Sequence, residues 1–256
     1  MKRIIAVTNI AGGVGKTTTA CNFAVALARH GKRVLVVDLD PQANATTYLG
    51  TESDCTIAEA LDDPNMFLKT IGPSKAEGVS LAHGSIETSV AEMRFAAQPA
   101  TAATRLRKAL RLLNGSYDHI LIDAPPAPGL LTVNAIVAAD ELLIPVETKP
   151  KALEGVGNMR SVLADIVDDP DLMPGGRPTG YFLATRYDGR TTLDRACLEG
   201  LRADEMFPTF KTVIRINQRI PESYAMHRSV LDYDPASNGA LDYAALAEEY
   251  LSHGRG

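Results

Sequence analysis

Residues 9–18 read NIAGGVGKTT, which puts three glycines, one lysine and two threonines into ten positions. That set suits phosphate. Gly12, Gly13 and Gly15 let backbone N–H groups curl around an anion without a Cβ in the way, Lys16 reaches the outer phosphates, and the Thr17 hydroxyl suits Mg2+. Two later stretches end in acids. VVDLDPQANAT closes an apolar run on Asp38 and Asp40, and YDHILIDAPP closes another on Asp123. Carboxylates at the C-terminal ends of parallel strands face bound phosphates, and Asp123 could hold Mg2+ through water. Each acid alone could equally cap a helix or shape a turn. Together with the glycine loop they read as one site.

Such a site needs strands and helices in a fixed order. Residues 4–8 are a short branched-apolar run that predicts a buried strand, and residues 17–30 follow as a helix that Gly31 stops. Further strands are predicted at 34–37, 119–122, 141–146 and 180–185, and helices at 104–113, 153–167, 192–202 and 241–251. Nearly all-apolar strands alternating with helices predict an α/β fold with a mostly parallel, twisted sheet covered on both faces. Residues 64–78 and 168–178 are the loosest stretches, the second a surface loop. No repeat or linker divides the chain, so residues 1–256 are expected to form a single domain.

The formal net charge is −5, which argues against a wholly basic surface. The charge is uneven: residues 52–92 hold eight acids and two lysines, whereas residues 177–228 hold nine basic residues and six acids. Cys21, Cys55 and Cys197 lie far apart with no metal or redox spacing. No apolar run approaches the length of a spanning helix, and a soluble, cytoplasmic protein is expected.

The combination of GGVGKTT, VVDLDPQANAT, ILIDAPP and ATRYDGRTT resembles the ParA/MinD family of deviant phosphate-loop (Walker A) ATPases. The resemblance runs from Ile4 to about Leu251 and implies a P-loop NTPase fold, ATP and Mg2+ as cofactors, slow hydrolysis, and a homodimer sandwiching two nucleotides. It implies that Gly12, Gly13, Val14, Gly15, Lys16, Thr17 and Thr18 bind phosphate, that Thr17, Asp38 and Asp123 serve the metal, and that Asp40 orients the attacking water with Asp38 beside it. The chain departs from the family at Ala11, where most members carry a signature lysine that crosses to the partner's phosphates. Such fingers are worth roughly 10³ to 10⁵ in rate. The carboxysome-distribution (McdA) branch includes members that take this lysine from the C-terminal half. Here VETKPKALEG places Lys149 and Lys151 after a strand end, and Lys151 is the expected relocated catalytic lysine, with Lys149 in reserve.

The same resemblance implies that ATP dimers bind double-stranded DNA without sequence preference, are associated with the nucleoid, and move cargo through an adaptor that is McdB-like or ParB-like. Arg186, Arg190, Lys211, Arg215, Arg219 and Arg228 are the DNA-binding candidates, with Arg186 alternatively pairing with Asp188. The family's PRNVR segment is altered to IRINQRIPES, so the proline expected beside adenine is absent at its usual position. A plasmid or chromosome partition ATPase is the near alternative. A MinD-like membrane switch is disfavoured because the ending ALDYAALAEEYLSHGRG carries Glu248 and Glu249 and would be repelled by anionic lipid. An iron–sulfur reductase on this scaffold would need a close cysteine pair, which is absent, and an amide synthase would need a second substrate pocket.

Overall fold

The runs at 4–7, 34–37 and 120–122 are apolar on both sides, so they can be buried only as central strands with cover on each face. The computed structural model, which describes residues 2–51, 53–95, 99–149, 152–173 and 176–253, places them there. Its strands are β1 (Arg3–Val7), β2 (Val34–Asp38), β3 (Ile71–Pro73), β4 (Val79–Ala82), β5 (His119–Asp123), β6 (Glu141–Glu147) and β7 (Thr179–Thr185). They form one sheet in the order β3-β4-β2-β5-β1-β6-β7. All pairings are parallel except that of β3 with β4.

The helices are α1 (Lys16–Arg29), α2 (Asn44–Leu49), α3 (Ile57–Asp62), α4 (Glu87–Phe95), α5 (Pro99–Ala102), α6 (Arg105–Leu110), α7 (Leu130–Ala138), α8 (Ala152–Val167), α9 (Thr192–Arg202), α10 (Arg219–Ala225), α11 (Val230–Tyr233) and α12 (Asn238–His253). The period-two alternation of the strands divides the core between them. Ala6, Leu35, Val37, Ile120 and Ile122 point into one layer, with Leu106, Ile136 and Leu163 from α6, α7 and α8. Ile5, Val7, Val34, Val36 and Leu121 point into the other, with Phe23, Leu27, Tyr48, Tyr243 and Leu246 from α1, α2 and α12. α1 lies between the sheet and the helices outside it, which is why ten of its fourteen residues are buried.

The structure departs from the sequence expectation mainly between β2 and β5. Residues 64–78 are more ordered than expected, with a 3-10 helix over Pro64–Thr70 and the edge strand β3. α3 starts with a capping box, Thr56 and Glu59 satisfying each other's backbone. The helix expected over 104–113 divides into α6 and a 3-10 turn (Arg111–Leu113), and α7 was not anticipated at all. These elements are short, and their apolar residues answer to neighbours rather than to a long period of their own.

Ile122 is fully buried on the central strand β5, whereas Leu68 is 53% exposed. Ile122→Ala is expected to lower unfolding free energy by about 2–5 kcal/mol, and Leu68→Ala to stay within about 0.5 kcal/mol. Urea unfolding midpoints of the two variants provide the check.

Candidate nucleotide site

β1 delivers the chain to the glycine loop at the C-terminal edge of the sheet. Asn9, 1% exposed, fixes the loop's entry: its Nδ2 donates to the Pro145 carbonyl at 2.8 Å, and its Oδ1 accepts from Ala11 N at 2.9 Å. Gly13 and Gly15 have φ of +76° and +90°, the region that glycine alone occupies without strain. A Cβ added at Gly12, Gly13 or Gly15 would meet nothing within 4 Å, so the space above the loop is open. Thr185 Oγ1 on β7 donates to the Val14 carbonyl at 2.8 Å and ties the far side of the loop to the sheet. The first turn of α1 has neither a side-chain cap nor an acid, which leaves its N–H groups for an anion.

Lys16 is 6% exposed, and its Nζ donates to the Ala11 carbonyl at 2.7 Å across the loop mouth. Burial pulls its pKa down, while Asp123 and Asp40 pull it back up. The two strand-end acids face it. Asp38 and Asp123 are register partners on neighbouring parallel strands, so their side chains leave the sheet on the same face. Both are fully buried. Asp38 Oδ2 accepts from the Thr46 N–H and Oγ1, each at 2.7 Å, while its Oδ1 has no partner of good geometry among the described residues, although the Asp40 N–H lies close enough to favour the charged form. Neither Asp123 oxygen has a hydrogen-bond partner of good geometry among the described residues, although the Thr17 hydroxyl lies close enough to favour the charged form. Burial pushes Asp38 up to about 6, with the Thr46 hydrogen bonds opposing and Asp40 assisting. Asp123 is raised by burial first and by Asp38 second. Asp40 shapes its own turn, Oδ1 accepting from Gln42 N at 2.9 Å.

Thr46 and Gly84 belong to this site although the sequence reading did not select them. The Thr46 Oγ1 that donates to Asp38 accepts from Gly84 N at 2.8 Å, and a Cβ at Gly84 would lie 2.7 Å from Asp38 Cγ. The glycine is required by close approach. A signal was available for Thr46, which follows the acids in QANAT, but none for Gly84. Beside the loop opens a cleft of about 400 Å3, lined by Gly13, Thr18, Ile216, Asn217, Pro221 and Tyr224 among others. Pro221 there means that the altered IRINQRIP segment still presents a proline to the cleft, four residues after Asn217.

Residues 2–172 match a family model described as "AAA domain". The chain is 37% identical over 260 aligned positions to the sporulation initiation inhibitor protein Soj of Bacillus subtilis, covering 99% of this chain and 100% of that protein. It is 36% identical over 255 positions to the chromosome partitioning protein ParA of Myxococcus xanthus, covering 97% and 88%. With the chromosome-partitioning ATPase Soj of Thermus thermophilus the identity is 40% over 251 positions, covering 98% and 96%. The chain belongs to the ParA/Soj family. Among solved structures, cobyrinic acid a,c-diamide synthase from Mycobacterium smegmatis with bound ADP and magnesium is 30% identical with a TM-score of 0.83, covering 100% of this chain and 96% of that one. Apo McdA from Cyanthece has a TM-score of 0.82 at 22% identity, covering 98% and 100%, a likeness of fold alone.

In this ParA/Soj chain Ala11 lies against the start of α8: a Cβ added at Gly155 would be 3.9 Å from Ala11 Cβ. Lys151, the expected relocated lysine, lies outside the described residues. Lys149 is 3.5 Å from Asp194, a buried acid that also accepts from Thr148 Oγ1 and Asp188 N. The DNA candidates do not gather into one free patch. Arg186 pairs with Glu147 at 3.1 Å rather than with Asp188, which is held instead by Arg190 at 2.7 Å. The left-handed φ of +50° at Arg186 turns the chain away from the next residues, and Glu147 ends the adjacent strand. Arg215 chelates Asp242, and Arg219 bridges Glu222 and Asp234. Lys211 is exposed beside Glu249, whereas Arg228 lines a separate cleft with Arg29 and Lys75.

The sign of the acid pair's contribution follows from its raised native pKa values. The folded chain keeps protons that the unfolded chain has lost, so this contribution is fully present below about pH 4 and is lost as pH rises through about 6 for Asp38. Without nucleotide and metal, Asp123→Asn is therefore expected to be more stable than the wild type at pH 7.5. The gap should close near pH 4, as read from urea midpoints across that range.

Proposed function

We propose that this chain is a ParA/Soj-type partition ATPase, which binds ATP and Mg2+ at the glycine loop, dimerises around two nucleotides, and in that state holds duplex DNA without sequence preference. Cargo then follows the DNA-bound dimers through a ParB-like adaptor. The observation that carries the reading is Asp123: a fully buried carboxylate with no hydrogen-bond partner of good geometry among the described residues, opposite the open glycine loop and beside Lys16 and Thr17. A buried carboxylate left so is costly unless something cationic or hydrated completes it. A hydrated Mg2+ held by the Thr17 hydroxyl, with Asp38 and Asp123 behind its waters, fits that need. When bound, Mg2+ neutralises charge on the outer phosphates.

The chain's own groups then have distinct tasks. Lys16 Nζ exchanges the Ala11 carbonyl for a phosphate oxygen, a stronger, charge-assisted partner. The open N–H groups of residues 12–18 take the remaining phosphate oxygens. Asp40 stands 6% exposed at the loop mouth, where it can orient water, and Thr46 holds Asp38 in one rotamer. The cleft beside Pro221 and Tyr224 takes the base.

The curated relatives named for partition are 36–40% identical to the chain, which favours a partition cargo over carboxysomes. The McdA-like reading, with an McdB-like adaptor, rests on Ala11 together with Lys151. An amide synthase remains the contrasting enzyme class, given the synthase among the structural neighbours, and would consume ATP in response to a small molecule. Among the described residues no helix is long and apolar enough to cross a membrane.

Binding to non-specific duplex DNA, measured without nucleotide, with ADP and with ATP plus Mg2+ across a salt series, tests the proposal. Binding should require ATP, weaken steeply with salt, and be lost in Lys16→Ala; binding in no state would remove the DNA-based model. Lys151→Ala addresses the relocated lysine separately. ATP hydrolysis and ATP-dependent dimerisation should both fall, hydrolysis by about a hundredfold or more, and unchanged values would dismiss that role.

A further inference from the structure

At the opposite pole, where the strands begin, β1, α6, the end of α7 and the residues Arg177 and Pro178 before β7 line a second cleft of about 480 Å3. That volume is in the range of small-ligand sites. Its rim carries Lys2, Arg107, Arg111 and Arg177, over an apolar floor that includes Ile4 and Leu110. None of the four basic side chains joins an ion pair among the described residues, whereas nine arginines elsewhere each hold a carboxylate. Among the described residues Lys2 and Arg107 donate to backbone carbonyls, of Leu110 at 3.3 Å and Leu172 at 2.7 Å, and Arg111 has no hydrogen-bond partner; Arg177 lies over the Phe207 ring and also lines a neighbouring cleft with Asp168 and Glu205.

Arg107 and Arg111 stand one helical turn apart, a spacing at which like charges destabilise. Desolvation and Arg111 both lower the Arg107 pKa. Asp140 is the single acid in the lining, and its carboxylate is already committed to Ile4 N at 2.9 Å. Lys2, Arg107 and Arg111, three cations without an ion-pair partner among the described residues, thus share a concave, part-apolar surface with a single carboxylate. A compact anion can enter such a concavity.

We propose that this cleft is a second anion site, distinct from the glycine loop, that takes a small organic polyphosphate: two or more phosphate charges on the arginine rim and an apolar ring or chain on the floor. The site is independent of the reading given for the loop. The test is calorimetric titration of the full chain, free of Mg2+, with inorganic pyrophosphate and then with ADP. Two anions per chain are expected for the wild type and one for Lys16→Ala. The Arg107→Gln/Arg111→Gln variant should also bind one, its remaining event having the affinity of the loop, and the cleft affinity should fall at least about tenfold. Arg107→Lys/Arg111→Lys, which keeps the charge, should retain the second event and guards against a folding artefact.

ADP binding the cleft more tightly than pyrophosphate would place an apolar group on the floor; equal affinities would overturn the organic part of the assignment. A stoichiometry unchanged by Arg107→Gln/Arg111→Gln would overturn the site. So would loss of duplex DNA binding in that variant with pyrophosphate stoichiometry intact, which would assign the cleft to nucleic acid.

Discussion

Two carboxylates fully buried on adjacent strands, in register and on the same face, are the constraint around which this end of the molecule is organised. Asp38 and Asp123 repel each other and are cut off from water, so their native pKa values rise. No core would keep such a pair for stability, because apolar residues would fill the same space without the desolvation cost. Thr46 and the close approach of Gly84 hold one carboxylate rigidly, whereas the other is left bare with Lys16 across from it. In the proposed reading, a cation bound between the pair and a nucleotide's phosphates would relieve that cost.

The rest of the loop's construction follows from that opposition. Lys16 is a buried ammonium whose hydrogen bond to Ala11 O satisfies it without neutralising it. Its charge is balanced at a distance by Asp123 and Asp40. The loop can remain open around it because the strain lies in glycines and the restraint lies elsewhere, in Asn9 at its entry and Thr185 at its far side. Cys21 behind it is buried, and its thiol is pushed well up by that burial and by both acids, so it is inert packing.

Much of this was legible in the sequence because the chemistry is local. The glycines, Lys16 and Thr17 are contiguous, and each strand-end acid closes an apolar run whose period identifies it. The partners that discipline those groups come from elsewhere. Gly84 reaches Asp38 from the end of β4, a strand the sequence did not disclose, and Glu92 on α4 accepts from Leu131 N at the start of α7, two helices equally hidden. Short elements between β2 and β5 carry too few residues for a period to stand out. Their signals were single features such as the Thr56–Glu59 box. The arginines illustrate the opposite limit: clustering along residues 177–228 suggested a basic surface, but folding delivered carboxylates from Glu147, Asp242 and Asp234 to three of them.

Ala11 is best understood by its neighbour rather than by the lysine it lacks. A Cβ built at Gly155 of α8 would meet the Ala11 methyl at 3.9 Å, so this helix passes close beside the loop. A longer residue at position 11 would have to leave across this gap or displace the helix. Alanine at this position thus leaves the loop with Lys16 as its own cation, and the space beside it is bounded by α8 rather than filled by a long side chain.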